Sequence, residues 1–343
     1  MVQKALSFAG KLKAYLAWNG LFAFILSFNV ASLVVAYYVV STQSIATSVA
    51  LFLPFLLSRK LPQYFIGSSL FGIGIRHELR DGRIWPEFAE TFFIFKIMRD
   101  FLNLSIEVST ELQETEKQLD AQFIFAIFPH GTGSDFRILM EGMLPQHFPN
   151  LSKRKAIRSL AATVLFRIPI VAQFALYTGC IDARKQVAER ALSNGKSLVI
   201  LPGGEAEQLM TQYGIEKVYL RKRKGFIKLA MKKKIPVVPV YVFGCNDMFL
   251  TSRLFYKARH FLMKNFGVCI PFCRGLWGSM CPFEVDTSIV FGKPINVFDG
   301  MMGNEPTKEE LDRSHLLFCE ELKKLFEEKK KEFGYGDRKL EIC

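Results

Sequence analysis

From Ala14 to Ser58 the chain carries no charged side chain. No ordinary water-facing segment of that length does without charge, so this part of the sequence belongs in or on a membrane. Leu21 to Val40 supplies the roughly 20 apolar residues that a spanning helix needs. Ser41-Thr42-Gln43-Ser44 is a polar break, and Ile45 to Leu57 is a second, shorter apolar run bent near its end by Pro54. Two runs joined by a short polar turn predict a helical hairpin or its re-entrant equivalent. Lys4, Lys11 and Lys13 precede it and Arg59 and Lys60 follow it, which puts both flanks in the cytosol by the positive-inside bias. The run is too long for a cleaved signal peptide, and no small-residue cleavage site stands out. Leu61 to Ile75 is apolar but interrupted by Pro62, Gly67, Gly72 and Gly74, a pattern that fits an interfacial segment. Residues 1–75 are therefore expected to form a membrane-anchoring unit and 76–343 a cytosol-facing catalytic domain.

Half of the 343 residues are hydrophobic, 33 of them phenylalanine, and the formal net charge is +13. The aromatic load fits contact with lipid, and the charge asks for an anionic partner: a phosphate-bearing cosubstrate or an acidic membrane face. Nucleic-acid binding is a poor use of it, because no recognition motif accompanies the charge. The seven cysteines are odd in number and irregularly spaced, which reads as reduced thiols facing the cytosol. Cys269, Cys273 and Cys281 cluster without the paired short spacings of a zinc site, so no metal is expected.

The catalytic domain turns on Phe123 to Phe136, FIFAIFPHGTGSDF. The apolar run up to Phe128 suits a strand covered on both faces. Pro129 cannot donate to a ladder and should end it. His130 then sits at a strand's C-terminal end, where open α/β sheets bind ligands. Gly131 and Gly133 allow close backbone approach, and Asp135 could return beneath the imidazole, giving a general base with a carboxylate behind it.

Elsewhere the sequence alternates helix with strand. Asp182 can cap a helix through Leu192, Asn194-Gly195 ends it, and Ser197 to Leu201 follows as a strand running into Pro202-Gly203-Gly204. Gly225 to Lys234 reads as a basic helix and Val237 to Gly244 as another strand. The alternation predicts βαβ units and a largely parallel sheet with flanking helices. Thr307-x-x-Glu310 is a capping box opening a long charged helix whose Leu311, Phe318, Leu322 and Leu325 mark one face. Trp85 to Leu102 has an aromatic face that either packs on the domain or lies among lipid headgroups.

Four blocks then act together: Phe128-Pro129-His130-Gly131; Leu201-Pro202-Gly203-Gly204 with Glu207; Arg221-Lys222-Arg223-Lys224-Gly225-Phe226; and Val238-Pro239-Val240-Tyr241 through Phe243-Gly244. In order and spacing they resemble the type-2 diacylglycerol acyltransferase family, which also includes monoacylglycerol and wax-alcohol acyltransferases. Arg99-Asp100 upstream and Gly292-Lys293-Pro294-Ile295 downstream extend the similarity over nearly the whole chain. His130 to Asp135 and Gly179-Cys180-Ile181-Asp182-x-Arg184 are similar to blocks of the wider glycerolipid acyltransferase superfamily. One departure is that Phe128 stands where the family's motif has its first histidine. Another is Gly203, at the position where the superfamily's phosphate-binding glutamate follows a proline.

The resemblance implies an endoplasmic-reticulum enzyme, with the lipid droplet as a further location. It would esterify diacylglycerol to triacylglycerol from acyl-coenzyme A, with monoacylglycerol or a wax alcohol as the alternative acceptor. Acyl-coenzyme A is a substrate, and no permanently bound cofactor is implied; a homo-oligomer is compatible with the sequence. His130 inherits the role of base, Asp135 that of its orienter, and Glu207 that of orienter or acceptor-site group. Phe128, Gly131, Gly133, Gly203 and Gly204 would border the substrates. Arg221, Arg223 and Lys224 suit the coenzyme A phosphates, though a solvated or membrane-facing strip reads the same way. A lipid-ester hydrolase is disfavoured because no Gly-x-Ser-x-Gly elbow occurs. A non-catalytic lipid-surface protein remains as the contrasting class, suggested only by Phe128.

Overall fold

The computed structural model describes residues 6–42, 81–168, 170–266 and 269–343. In chain order the strands are β1 (Ser105–Val108), β2 (Ile124–Phe128), β3 (Ile157–Ala161), β4 (Cys180–Asp182), β5 (Ser197–Ile200), β6 (Lys217–Val218), β7 (Val237–Phe243), β8 (Leu250–Thr251), β9 (Cys273–Arg274), β10 (Ser288–Phe291) and β11 (Glu341–Ile342). The main sheet runs β1-β10-β7-β2-β5-β3-β4, with β6–β11 and β8–β9 as separate pairs. Every adjacent pair in the main sheet is parallel except β10 with β7. The expected α/β architecture with a largely parallel sheet is what the chain adopts.

Strand β2 is central and wholly buried. Its side chains alternate between two cores, as the period of two requires. Phe125 and Ile127 join the core on one face; Ile124, Ala126 and Phe128 join that on the other. The second core is closed by α4 (Lys185–Ser193), α6 (Gly225–Lys233) and α8 (Lys308–Lys329), the last through Phe318, Leu322 and Phe326. The capping box of α8 is formed, with the Thr307 hydroxyl accepting from the Glu310 amide. Asp182 does not cap α4 as the sequence suggested. It lies fully buried at the end of β4, accepts from the Arg184 amide at 2.9 Å and pairs with the Arg184 guanidinium at 3.1 Å, so α4 starts only at Lys185.

On the other face, helix α2 (Phe93–Phe101) settles the two readings of the aromatic segment. Ile94, Phe95, Met98 and Phe101 are buried on the domain, and Phe88 and Phe92 pack on Phe174. The first half of α1 (Phe8–Thr42) lies across α2, with Ala14, Trp18 and Leu21 in the same core. Beyond Ile25, which still packs against this core, the helix leaves the domain, and Phe24, Leu26, Val30 and Leu33 are exposed. Over Phe8–Val34 it is long and apolar enough to cross a membrane.

The helix begins earlier than Leu21 because lysine is a good helix former and Lys11 is neutralised by Glu284 at 2.7 Å. It also continues through Ser41 and Thr42, which the sequence reading placed in the turn. The second apolar run of the expected hairpin, the segment to Ile75 and the boundary at 75/76 lie outside the described residues.

Candidate active site

Because β5, β2 and β7 are adjacent and parallel, their C-terminal ends meet. The turn Pro129–Ser134 leaves β2, helix α5 (Gly204–Met210) follows β5, and Gly244-Cys245 follows β7. Gly131 takes a left-handed φ of 66°, and a Cβ there would run into the Cys245 sulfur. Only glycine fits, which gives the His-Gly pair a physical reason. The Cys245 thiol itself is held protonated, its pKa pushed far up by burial and then by the surrounding carboxylates.

Helix α5 grips the turn at two points. The buried Glu207 carboxylate accepts from the His130 amide through one oxygen and from the Tyr219 amide, at 2.6 Å, through the other. One residue on, the Gln208 side chain donates to the Thr132 carbonyl at 2.5 Å. A Cβ at Gly203 would strike the Glu207 carboxylate, so the Pro-Gly-Gly block makes room for the glutamate. Burial pushes the Glu207 pKa up to about 7, against the pull of the two amides and Arg223.

Glu207 therefore positions the backbone of His130. The ring has other partners. Nδ1 lies 3.1 Å from the Gly131 carbonyl and 2.9 Å from the Ser134 hydroxyl, which itself donates to the His130 carbonyl at 2.9 Å. A carbonyl can only accept, so the proton is assigned to Nδ1, and Nε2 carries the lone pair. Burial lowers the imidazole pKa, favouring the neutral ring.

Asp135 does not hold the imidazole. It starts α3 (Asp135–Met140), its carboxylate lies over Gly133, and among the described residues it is no hydrogen-bonding partner of the His130 ring. Burial raises its pKa to about 6. Ser134, at a left-handed φ of 54°, ends the turn so that its hydroxyl, one residue earlier, occupies the place expected for the carboxylate.

Phe128, expected to border the substrates, is fully buried in the second core, where it packs on Phe318. In the basic run, Arg223 donates to the Gly203 carbonyl at 3.1 Å and lies over the Tyr219 ring. Lys224 pairs with Asp312 at 2.6 Å, and Arg221 is exposed. Gly204 has a positive φ of 55° with open space at its Cβ. Beside the turn lies a cavity of about 460 Å³, bounded by Thr132, Gln208, Tyr213, Arg253, Tyr256 and Phe272 among others.

The sequence signature of the diacylglycerol acyltransferase family covers residues 64–343. The chain belongs to that family. It is 34% identical over 235 residues to diacylglycerol O-acyltransferase 1 of Eremothecium gossypii, covering 64% of this chain and 50% of the relative. With 2-acylglycerol O-acyltransferase 3 of Homo sapiens it shares 32% over 261 residues, or 70% and 72% of the two chains. With human diacylglycerol O-acyltransferase 2 it shares 27% over 273 residues, or 74% and 67%. The match spans about half the length of the fungal relatives. The crystal structure of the 1-acyl-sn-glycerophosphate acyltransferase PlsC from Thermotoga maritima superposes with a TM-score of 0.41 at 18% identity, covering 89% of this chain and 98% of that one.

In this member of the diacylglycerol acyltransferase family, the hydroxyl of Ser134, whose amide the sequence suggested as an oxyanion donor with those from Gly131 onward, and the residues Gln208 and Tyr219 join the candidate site without having been anticipated. Ser134 and Gln208 were within reach, as neighbours of singled-out residues carrying groups suited to bonding a turn. Tyr219 reaches Glu207 through its amide, for which the sequence holds no signal.

Proposed function

We propose that the chain transfers a fatty acyl group from acyl-coenzyme A to the free hydroxyl of diacylglycerol, releasing triacylglycerol and coenzyme A. The carrying observation is the placement of the His130 ring, its Nδ1 3.1 Å from the Gly131 carbonyl and its Nε2 3.3 Å from the Ser134 hydroxyl, at the C-terminal end of the central strand in a turn clamped by Glu207 and Gln208; with the proton assigned to Nδ1, Nε2 is the base.

An alcohol is a poor nucleophile until its proton is taken, while a thioester carbonyl is a ready electrophile. Nε2 accepts the hydroxyl proton as the oxygen attacks the thioester carbon. The amides from Gly131 to Ser134, which donate to no acceptor among the described residues, suit the oxyanion that forms. Collapse breaks the carbon–sulfur bond, and the departing thiolate takes the proton back from the imidazolium. Charge and protons balance without a cofactor.

Arg221 and Arg223 suit the donor's phosphates; Lys224 can join them only by leaving Asp312. The long apolar α1 fits anchorage in the endoplasmic-reticulum membrane with the catalytic domain in the cytosol, and the lipid droplet as a second location. Monoacylglycerol is the second acceptor to consider, favoured by the 32% identity to the human 2-acylglycerol O-acyltransferase 3.

Labelled acyl-coenzyme A supplied to the reconstituted chain with a panel of lipid alcohols tests the reading. Triacylglycerol as the main labelled product supports it. Preferential labelling of phosphatidic acid contradicts it, and preferential labelling of diacylglycerol from monoacylglycerol selects the second acceptor.

A further inference from the structure

From Met248 to Phe283 the chain contains no aspartate or glutamate, yet Arg253, Lys257, Lys264 and Arg274 all face solvent there. This stretch is an arm in which β8 and β9 pair at the base and α7 (Tyr256–Phe266) lies between them. Arg259 is the arm's internal staple: it is buried and donates to the Ser252 and Ile270 carbonyls at 2.8 and 2.7 Å. The arm is rooted in the domain core by Met248 and Phe249 and leaves several of its large side chains exposed. Phe255, Phe261 and Trp277 are 65, 58 and 49% exposed. Single exposed rings are ordinary, but three in one segment whose charged side chains are all of one sign point to an interaction surface.

Two observations say what covers this surface. Every charged side chain that the arm itself carries is positive, the complement of lipid phosphates and anionic headgroups. The arm also adjoins the domain-docked half of the helix that continues into the apolar anchor: Trp277 packs on Phe8 and Tyr15 of α1, with ring centroids 5.7 and 5.1 Å apart, and Asn19 donates to Ser279 at 3.1 Å. Aromatic rings beside cations are the composition of an interfacial element.

We propose that the arm docks on the surface of an anionic bilayer, with Phe255, Phe261 and Trp277 at the headgroup boundary and Arg253, Lys257, Lys264 and Arg274 on lipid phosphates. This rests on reading α1 as a membrane anchor. Because Thr251, Ser252, Tyr256 and Phe272 form one wall of the cavity beside the His130 turn, docking brings that cavity to the surface that holds a water-insoluble acceptor.

The test uses the full chain in vesicles of phosphatidylcholine and phosphatidylserine. Trp18→Phe, Trp85→Phe and Trp277→Phe with Phe261→Trp leave one indole, on α7. The expected result is quenching by lipids brominated near the headgroup end of their acyl chains, and protection from iodide. Adding Lys257→Glu and Lys264→Glu should reverse that pattern while the protein still floats with the vesicles through α1. In the unsubstituted chain, amide exchange across residues 256–266 should slow when phosphatidylserine replaces part of the phosphatidylcholine.

Quenching by iodide and not by brominated lipid would overturn the proposal, since the arm would then lie in water. Protection from both would also overturn it, because a second copy or another protein would cover the arm. An unchanged pattern after charge reversal contradicts the anionic partner. Failure to float removes the anchor on which the docking rests, whatever the quenching shows.

Discussion

Glu207 holds His130 by its main chain, not by its ring: the carboxylate accepts the His130 amide with one oxygen and the Tyr219 amide with the other. The strand end, the helix after β5 and the segment leading to Arg223 are thus fastened at one buried side chain.

Glu207→Gln should therefore cost both stability and turnover. A glutamine presents only one acceptor oxygen, so one buried amide is left facing an NH₂ group, at a cost of about 1–3 kcal/mol. The base is displaced with it, so kcat should fall with little change in KM. Thermal unfolding in detergent and steady-state kinetics check this; a wild-type melt with wild-type kcat contradicts it.

The same carboxyl makes stability depend on pH. Its folded pKa, about 7, exceeds the ordinary 4.5, so between those values the folded chain binds a proton that the unfolded chain does not. Glu207's contribution is fully present below pH 4.5 and is lost as pH rises through about 7. Replacing it with glutamine should flatten that part of the stability profile.

His130 gives a kinetic counterpart. Burial lowers its pKa from 6.5, and only the neutral ring can accept a proton. The acid limb of kcat/KM should therefore fall below pH 6.5. A limb above that value would assign the titration to another group.

Asp135→Asn should retain most of the wild-type turnover, because the carboxylate lies over Gly133 and away from the imidazole. Ser134→Ala should lower kcat by roughly tenfold, the rate equivalent of one hydrogen bond worth ~1.4 kcal/mol. The reverse ranking would show that Asp135 moves under the ring during the reaction.

Asn103-Leu104-Ser105 and Asn150-Leu151-Ser152 are formal glycosylation sequons, and neither should carry a glycan. The Asn150 amide already donates to the Glu116 and Gln118 carbonyls at 2.8 and 2.6 Å, and that of Asn103 to Asp286 at 3.1 Å. An endoglycosidase-sensitive shift abolished by either Asn→Gln change would show the catalytic domain to be lumenal.

Much of this fold was legible because it depends on period and punctuation. Phe123 to Phe128 read as a strand buried on both faces, Pro129 as its end and Thr307 as a cap, and all three stand in the structure. What failed depended on direction. The spacing from His130 to Asp135 allows a contact, yet the left-handed turn at Ser134 decides which side chain reaches the ring. Phe128 sat within the right motif, but the alternation of a strand sends it to the far core. The arm was missed because its signal is an absence of acidic residues spread over many positions, diluted by the charge of the whole chain.

The most direct test is transfer by purified, reconstituted wild-type and His130→Ala chains, followed as triacylglycerol formed from labelled acyl-coenzyme A and diacylglycerol. Transfer by the wild type is expected. The variant should lose roughly 10²–10⁴ in rate, the span of general-base catalysis, with membrane association and thermal unfolding unchanged. Near-normal triacylglycerol synthesis by a folded, membrane-bound His130→Ala chain would contradict it.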